Sequence, residues 1–127
     1  MTVVFQMQSL ALPGFHIYEP HMVFKQSIAH IHQDLQFKRL FGQNEANENT
    51  FTFTLPITAP EGSGLNFFTD SKSFKVESFV PYQPGVLVLH SGLKTHQAVI
   101  NCYEGDLERV TFQGHGFKRD GKLTLYW

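Results

Sequence analysis

Strict alternation of apolar and polar residues constrains the fold of this chain more than any other feature. In the run TFTFTLPI at 50–57, Phe51, Phe53, Leu55 and Ile57 fall on one side of an extended backbone and the threonines fall on the other. Comparable runs, bounded by turn sequences such as EGSG, QPG and RDG, predict further strands at 3–10, 15–19, 22–32, 34–41, 64–68, 73–80, 85–90, 95–101, 107–114 and 122–127. The pattern therefore predicts an all-β chain with little helix.

The chain has 127 residues and contains no internal repeat, linker or low-complexity tract, which predicts a single domain over residues 1–127. About ten short strands in one domain favour a sandwich, a jelly roll or a barrel, because these architectures leave few strand edges exposed. The run GVLVLH at 85–90 is apolar at consecutive positions, which is typical of a strand covered on both sides. Only 35–47 admits a helical interpretation, and the polar run GQNEANEN predicts an exposed loop there.

Composition excludes several classes of partner. The formal net charge is −1 and charged residues make up 17% of the chain, so we expect no nucleic acid partner. The single cysteine, Cys102, cannot form an internal disulfide, and the first residues carry neither the basic start of a signal peptide nor the apolar run of a membrane span. We therefore expect a cytoplasmic protein without a membrane partner.

The stretch AHIHQDL at 29–35 places polar residues at every second position. On a strand, His30, His32, Asp34 and Gln36 share one face. One interpretation is a polar face that meets solvent, as on any half-exposed antiparallel sheet. The other is a metal site, because a histidine and a carboxylate two residues apart on a strand project side by side and can bind one ion. A third ligand must then come from elsewhere in the chain.

The second half of the chain offers that ligand and a cation. His96 begins a predicted strand after the turn at Ser91-Gly92, and Arg109, Thr111 and Gln113 share a face of a later strand. An arginine and a hydroxyl on one face can grip a carboxylate through charge-assisted hydrogen bonds. The alternative is an exposed polar face on which the arginine pairs with the nearby Glu108 or Asp106.

Read in chain order, His32-x-Asp34, a distal His96 and Arg109-x-Thr111 form one set. This set resembles the iron(II)- and 2-oxoglutarate-dependent oxygenases, whose double-stranded β-helix, a jelly roll with a cupin-like barrel, carries HxD…H and a downstream arginine, often as RxS or RxT. His32-Gln33-Asp34 is similar to the HQD form of the phytanoyl-CoA dioxygenase-like branch. The stretch LPITAPEGSGLNFF at 55–68 is similar to the strand, Gly-rich turn and strand between the two motif halves.

The resemblance implies a dioxygenase with His32, Asp34 and His96 as ligands of iron(II). It implies 2-oxoglutarate as co-substrate, held by Arg109 and Thr111, and the hydroxylation of a small organic molecule or side chain. No catalytic residue beyond the metal ligands is needed. Family members usually have helices that brace the larger sheet, and this chain is predicted to have almost none, so we expect a minimal enzyme or one braced as a homodimer.

Two other functions fit the same residues. His30, His32 and His96 would form the ligand set of a cupin-type metal protein, although the glutamate that usually follows is missing at Gln36-Phe37. A binding module for a small acid, without metal or catalysis, would use the same fold. His90 is an alternative distal ligand, and we expect the remaining histidines to be surface or structural residues, namely His16, His21 and His115.

Overall fold

The computed structural model describes residues 2–5, 12–42, 49–70, 72 and 74–127. These residues form nine strands: β1 (Thr2–Phe5), β2 (Gly14–Tyr18), β3 (Thr50–Thr58), β4 (Gly64–Phe68), β5 (Val76–Pro81), β6 (Val88–His90), β7 (His96–Val99), β8 (Arg109–Arg119) and β9 (Lys122–Tyr126). The described residues also form a 3-10 helix at Met22–Lys25 and one short α-helix, α1, at Gln36–Phe41. The prediction of a mostly β chain with little helix is confirmed.

The strands form two sheets. The larger has the order β1-β9-β8-β3-β6, and β2 also pairs with β8. The smaller has the order β5-β4-β7. The long strand β8 pairs with β3 along one edge, while β2 and β9 follow one another along its other edge. All pairings are antiparallel except that of β1 with β9.

Two predicted strands are wrong. Residues 22–32 contain the 3-10 helix, which His21 caps by accepting the Val23 N–H on Nδ1 at 3.0 Å. Of this segment only His32 pairs with a strand. Residues 34–41 were predicted to be extended, but α1 forms there, so the helical interpretation of this segment is the correct one. The polar loop predicted beyond α1 lies largely outside the described residues, as do residues 6–10 of the first predicted strand.

Helix α1 forms because its two phenylalanines are four residues apart and therefore lie on one face. The Phe41 ring stacks on Phe117 of β8 at 4.3 Å, and Phe37 is fully buried 6.3 Å from the same ring. The helix ends at Gly42, whose positive φ of 119° suits glycine. This aromatic cluster anchors the segment that follows Asp34.

The larger sheet turns its polar face inward. Thr50, Thr52 and Thr54 of β3 are buried, whereas Ile57 on the opposite face is 45% exposed. The outward face of β2 is also apolar, with Phe15 and Ile17 exposed. The prediction that GVLVLH is covered on both sides is wrong, because β6 is an edge strand with Leu89 exposed. No helix among the described residues is long and apolar enough to span a membrane.

Candidate functional site

Two histidines face each other across a single antiparallel bridge between the 29–35 segment and β7. The His32 N–H donates to the His96 carbonyl at 3.0 Å, and the His96 N–H donates to the His32 carbonyl at 2.9 Å. Residues that exchange both hydrogen bonds lie directly opposite each other, so their side chains project side by side. The two imidazole rings are 4.5 Å apart.

Asp34 joins this pair from the same segment. Its backbone N–H donates to the Gly92 carbonyl at 2.6 Å, which holds the segment against the turn before β7. Its Oδ1 lies 3.3 Å from Nε2 of His32 and its Oδ2 lies 3.4 Å from Nε2 of His96. Ligand atoms of these three residues all lie within 4.8 Å of one another. The structure thus brings together His32, Asp34 and His96.

Hydrogen bonds to carbonyl groups determine which ring nitrogens point at Asp34. Nδ1 of His32 lies 2.8 Å from the His30 carbonyl, and Nδ1 of His96 lies 2.7 Å from the Lys94 carbonyl. A carbonyl oxygen can only accept, so in both neutral rings the hydrogen is on Nδ1 and Nε2 presents a lone pair. When both rings are neutral, two nitrogen lone pairs and an anionic carboxylate converge, which is the donor arrangement that binds a cation. When His32 is protonated, its Nε2 donates to Asp34 instead.

The pKa values of the three groups reflect their surroundings. Burial raises the pKa of Asp34, but the His32 hydrogen bond, the nearby His96 and the Thr52 hydroxyl together lower it to about 2. The hydrogen bond with Asp34 raises the pKa of the half-exposed His32, whereas burial lowers the pKa of His96. Asp34 is therefore ionised and His96 neutral at pH 7, as metal ligands must be.

Arg109 at the start of β8 is the most unusual buried residue. Its side chain is 2% exposed and its Nε has no hydrogen-bond partner. The guanidinium carbon lies 5.1 Å from the Tyr82 ring centre and 5.5 Å from the Tyr18 ring centre. Among the described residues no carboxylate pairs with it. The alternative of a surface pair with Glu108 or Asp106 is therefore wrong.

The polar face of β8 continues beyond Arg109. Thr111 is fully buried, and its hydroxyl donates to Oε1 of Gln113 at 3.2 Å. The Gln113 amide in turn donates to Nδ1 of His16 at 2.9 Å, so the hydrogen of the neutral His16 ring lies on Nε2. Burial lowers the pKa of His16 and keeps the ring neutral. The role of Thr111 in holding a carboxylate remains a prediction.

A cavity of about 270 Å³ lies beside this cluster of histidines and Asp34, and Arg109 and Thr111 are not among its lining residues. His32, Asp34 and His96 line it, and so do Tyr18 and Tyr82, the two rings that enclose Arg109. Residues of both sheets contribute, because Leu65 and Ala98 of the smaller sheet face Thr52 and Thr54 of the larger one. The polar inward face of the larger sheet is thus the wall of this cavity.

Three further histidines lie at the cavity, and of these the sequence indicated only His90, as an alternative distal ligand. His115 was expected to be a surface or structural residue, but it is 4% exposed and its Nδ1 lies 3.9 Å from Oδ2 of Asp34. His90 lies 4.6 Å, ring to ring, from His96, and His16 also lines the cavity. The side chain of His30 is exposed and is not part of the cluster, so the geometry gives the cupin ligand set no support.

His115 was missed because the predicted strand ended at 114. Gly114 and Gly116 flank the histidine and weaken the strand pattern. In the structure the rings of Phe53 and Phe51 lie over these two glycines, where a Cβ atom would collide with them. Extending the alternation past Gly114 would have placed His115 on the face of Arg109 and Thr111.

No protein-family model matches the chain, and no curated protein matches its sequence. Among solved structures it is similar to an N-substituted L-amino acid dioxygenase from Burkholderia ambifaria AMMD in complex with alpha-ketoglutarate, with a TM-score of 0.61 and 12% identity over 91% of this chain and 52% of that chain. A second structure of an N-substituted L-amino acid dioxygenase from Burkholderia ambifaria AMMD, described without alpha-ketoglutarate, gives a TM-score of 0.58 and 11% identity over 91% of this chain and 52% of that chain. The chain spans about half the length of these structures and has the fold of a dioxygenase over that half.

Proposed function

We propose that this protein is an iron(II)- and 2-oxoglutarate-dependent oxygenase with a double-stranded β-helix core, which hydroxylates a small organic molecule or an accessible side chain. The observation that carries the proposal is the pairing of two features in one cavity. A cluster of two imidazoles and one carboxylate lies on one wall, and the tyrosines that enclose an uncompensated arginine lie on another. A metal ion would bind the first feature, and a carboxylate group of a dicarboxylate would pair with the second.

The donor set favours iron(II) over other divalent metals. Two histidine nitrogens and one carboxylate leave the remaining coordination positions open, which is the ligand set of non-haem iron(II) oxygenases. When bound, iron(II) would supply the activation of dioxygen, which protein side chains cannot provide. His32, Asp34 and His96 would hold it, and their hydrogen bonds to the His30 and Lys94 carbonyls would fix the two rings for that purpose.

The charge of Arg109 supports a dicarboxylate co-substrate. A buried guanidinium without a carboxylate partner is an incomplete ion pair, and an incoming carboxylate would complete it with a two-pronged hydrogen bond. The dioxygenase of similar fold is described in complex with alpha-ketoglutarate, the same compound as 2-oxoglutarate. Tyr18 and Tyr82 would keep water away from this ion pair, which strengthens it.

The test is metal-dependent release of succinate from 2-oxoglutarate. The protein, reconstituted with iron(II) and ascorbate, is expected to release succinate slowly without a substrate and faster when a compound library contains one. Asp34→Ala is the matched control, because it removes one ligand and should abolish release. Tight metal binding without succinate would instead support the cupin-type function, and no metal binding would support the bare binding module.

A further inference from the structure

A row of side chains crosses the larger sheet directly beneath Asp34. The strand register places His90 of β6 opposite Thr52 of β3, Thr52 opposite His115 of β8, and His115 opposite Tyr126 of β9. His90, Thr52 and His115 line the cavity. Asp34 comes from outside the sheet and meets this row at Thr52 and His115.

The hydrogen atoms in this row have only one consistent arrangement. Oγ1 of Thr52 lies 2.6 Å from Oδ2 of Asp34, and an ionised carboxylate can only accept, so Thr52 donates its one hydrogen there. Oγ1 also lies 3.0 Å from Nδ1 of His115. The hydroxyl has no second hydrogen, so Nδ1 of His115 must donate to it. The hydrogen bonds therefore run in one direction, from His115 to Thr52 and from Thr52 to Asp34.

All three side chains in this series of hydrogen bonds are buried, so each hydrogen bond contributes to stability. Asp34, Thr52 and His115 are each less than one-tenth exposed to bulk solvent, so the loss of a donor leaves a buried acceptor and is costly. Burial lowers the pKa of His115, so the ring stays neutral. A neutral ring has one N–H hydrogen, and with that hydrogen on Nδ1 it can donate to Thr52. The turn at Gly92 closes the last side, because a Cβ there would lie 2.9 Å from Cβ of Asp34 and 3.3 Å from Oγ1 of Thr52.

We propose that Thr52, held by His115, is a positioning residue that orients the Asp34 carboxylate for metal binding. The inference rests on the proposed metal site of the preceding section. Neither residue need touch the metal. Thr52 occupies one lone pair of Oδ2 and stops the carboxylate from rotating, so that the side of the group facing His32 and His96 remains the ligating side.

The experiment compares metal affinity among variants, measured by anaerobic calorimetric titration with iron(II). Thr52→Val keeps the shape of the side chain and removes the donor, and we expect it to weaken binding by about 10- to 100-fold, the usual effect of losing such a supporting hydrogen bond. Thr52→Ser restores the donor and should recover affinity to within about threefold of the wild type. Thr50→Val is the matched control, because Thr50 is a buried threonine on the same face of the same strand without a contact to Asp34.

A second pair of variants keeps the proposal testable if Thr52→Val fails to fold. His115→Asn retains a donor near the position of Nδ1 and should bind iron(II) nearly as the wild type does, whereas His115→Leu should bind it several-fold more weakly. Equal affinity of wild type and Thr52→Val, or Thr52→Ser as weak as Thr52→Val, would overturn the positioning role. A wild-type protein that binds no metal would overturn the proposed function itself, so the two failures are distinguishable.

Discussion

Replacing Arg109 with methionine should make the protein more stable and at the same time remove its affinity for 2-oxoglutarate. Methionine is similar in length and flexibility but carries no charge. Arg109 is 2% exposed, its Nε has no hydrogen-bond partner, and no carboxylate of the described residues compensates its charge. Such a group is destabilising until a ligand supplies the opposite charge.

The balance of energies sets the expected magnitude. Burying one ion carries an effective penalty of several kcal/mol. The Tyr18 and Tyr82 rings return about 1 kcal/mol each, and a hydrogen bond between Arg109 and Tyr82 returns about 1.5 kcal/mol. We therefore expect Arg109→Met to raise the free energy of unfolding by about 1–2 kcal/mol, which corresponds to a rise in Tm of about 4–8 °C for a domain of this size.

The affinity should change in the opposite sense. Two charge-assisted hydrogen bonds to the far carboxylate of 2-oxoglutarate are worth at least about 3 kcal/mol together, or about 100-fold in Kd. Thermal melts of the ligand-free protein and calorimetric titration of the iron(II)-loaded protein with 2-oxoglutarate measure the two effects. Arg109→Lys, which keeps the charge but loses the planar fork, should fall between wild type and Arg109→Met in affinity. A variant that melts several degrees below the wild type, or that binds 2-oxoglutarate unchanged, would refute this reasoning.

Three further outcomes are expected. Iron(II) affinity should fall as pH decreases from about 8 to about 6, because the raised pKa of His32 lets a proton displace the metal from that ring first. Calorimetric titrations across this range would show the fall in affinity, and an affinity that does not change with pH would contradict the prediction. Asp34, with its pKa lowered from 3.8 to about 2, stabilises the folded state by about 2 kcal/mol above pH 4. Urea unfolding should show that this stabilisation is lost as the pH falls toward 2. The Asp34→Asn variant should lack this pH dependence. Phe37→Ala should lower the free energy of unfolding by about 3–5 kcal/mol, because Phe37 is fully buried. Phe15 is 65% exposed, so Phe15→Ala should lower it by less than about 1 kcal/mol. Equal losses in urea titrations would refute the assigned core.

Strand positions in the second half of the chain could be predicted because the alternation of side chains along a strand depends only on neighbouring residues in the sequence. The segment 64–68 coincides with β4, and the strands predicted at 95–101 and 107–114 contain β7 and the first half of β8. Arg109, Thr111 and Gln113 share a face as expected, since parity along a continuous strand does not depend on its neighbours. The same parity placed His32 and Asp34 on one side, although the backbone there is extended only around the bridge at His32.

The first half was harder to predict because tertiary contacts decide its structure. Phe37 and Phe41 are compatible with either a strand or a helix, and it is the Phe117 ring on a distant strand that favours the helix. Which face of a strand lies inward was also not predictable from hydrophobicity. The threonines of β3 are buried on the cavity side, while on the apolar face Phe53 is buried, Phe51 and Leu55 are half-buried and Ile57 is exposed, so β3 is covered on both faces over most of its length.

The burial of so many polar groups on the cavity side argues for a function there. Burying threonine, histidine and arginine contributes little hydrophobic stabilisation and requires a partner for every polar group. The chain meets that requirement for Asp34 through Thr52 and His115, whereas Nε of Arg109 has no hydrogen-bond partner and no carboxylate of the described residues pairs with Arg109. A wall that is polar and largely hydrogen-bonded, with a buried cation next to two of its tyrosines, therefore supports the proposed binding of an anionic ligand.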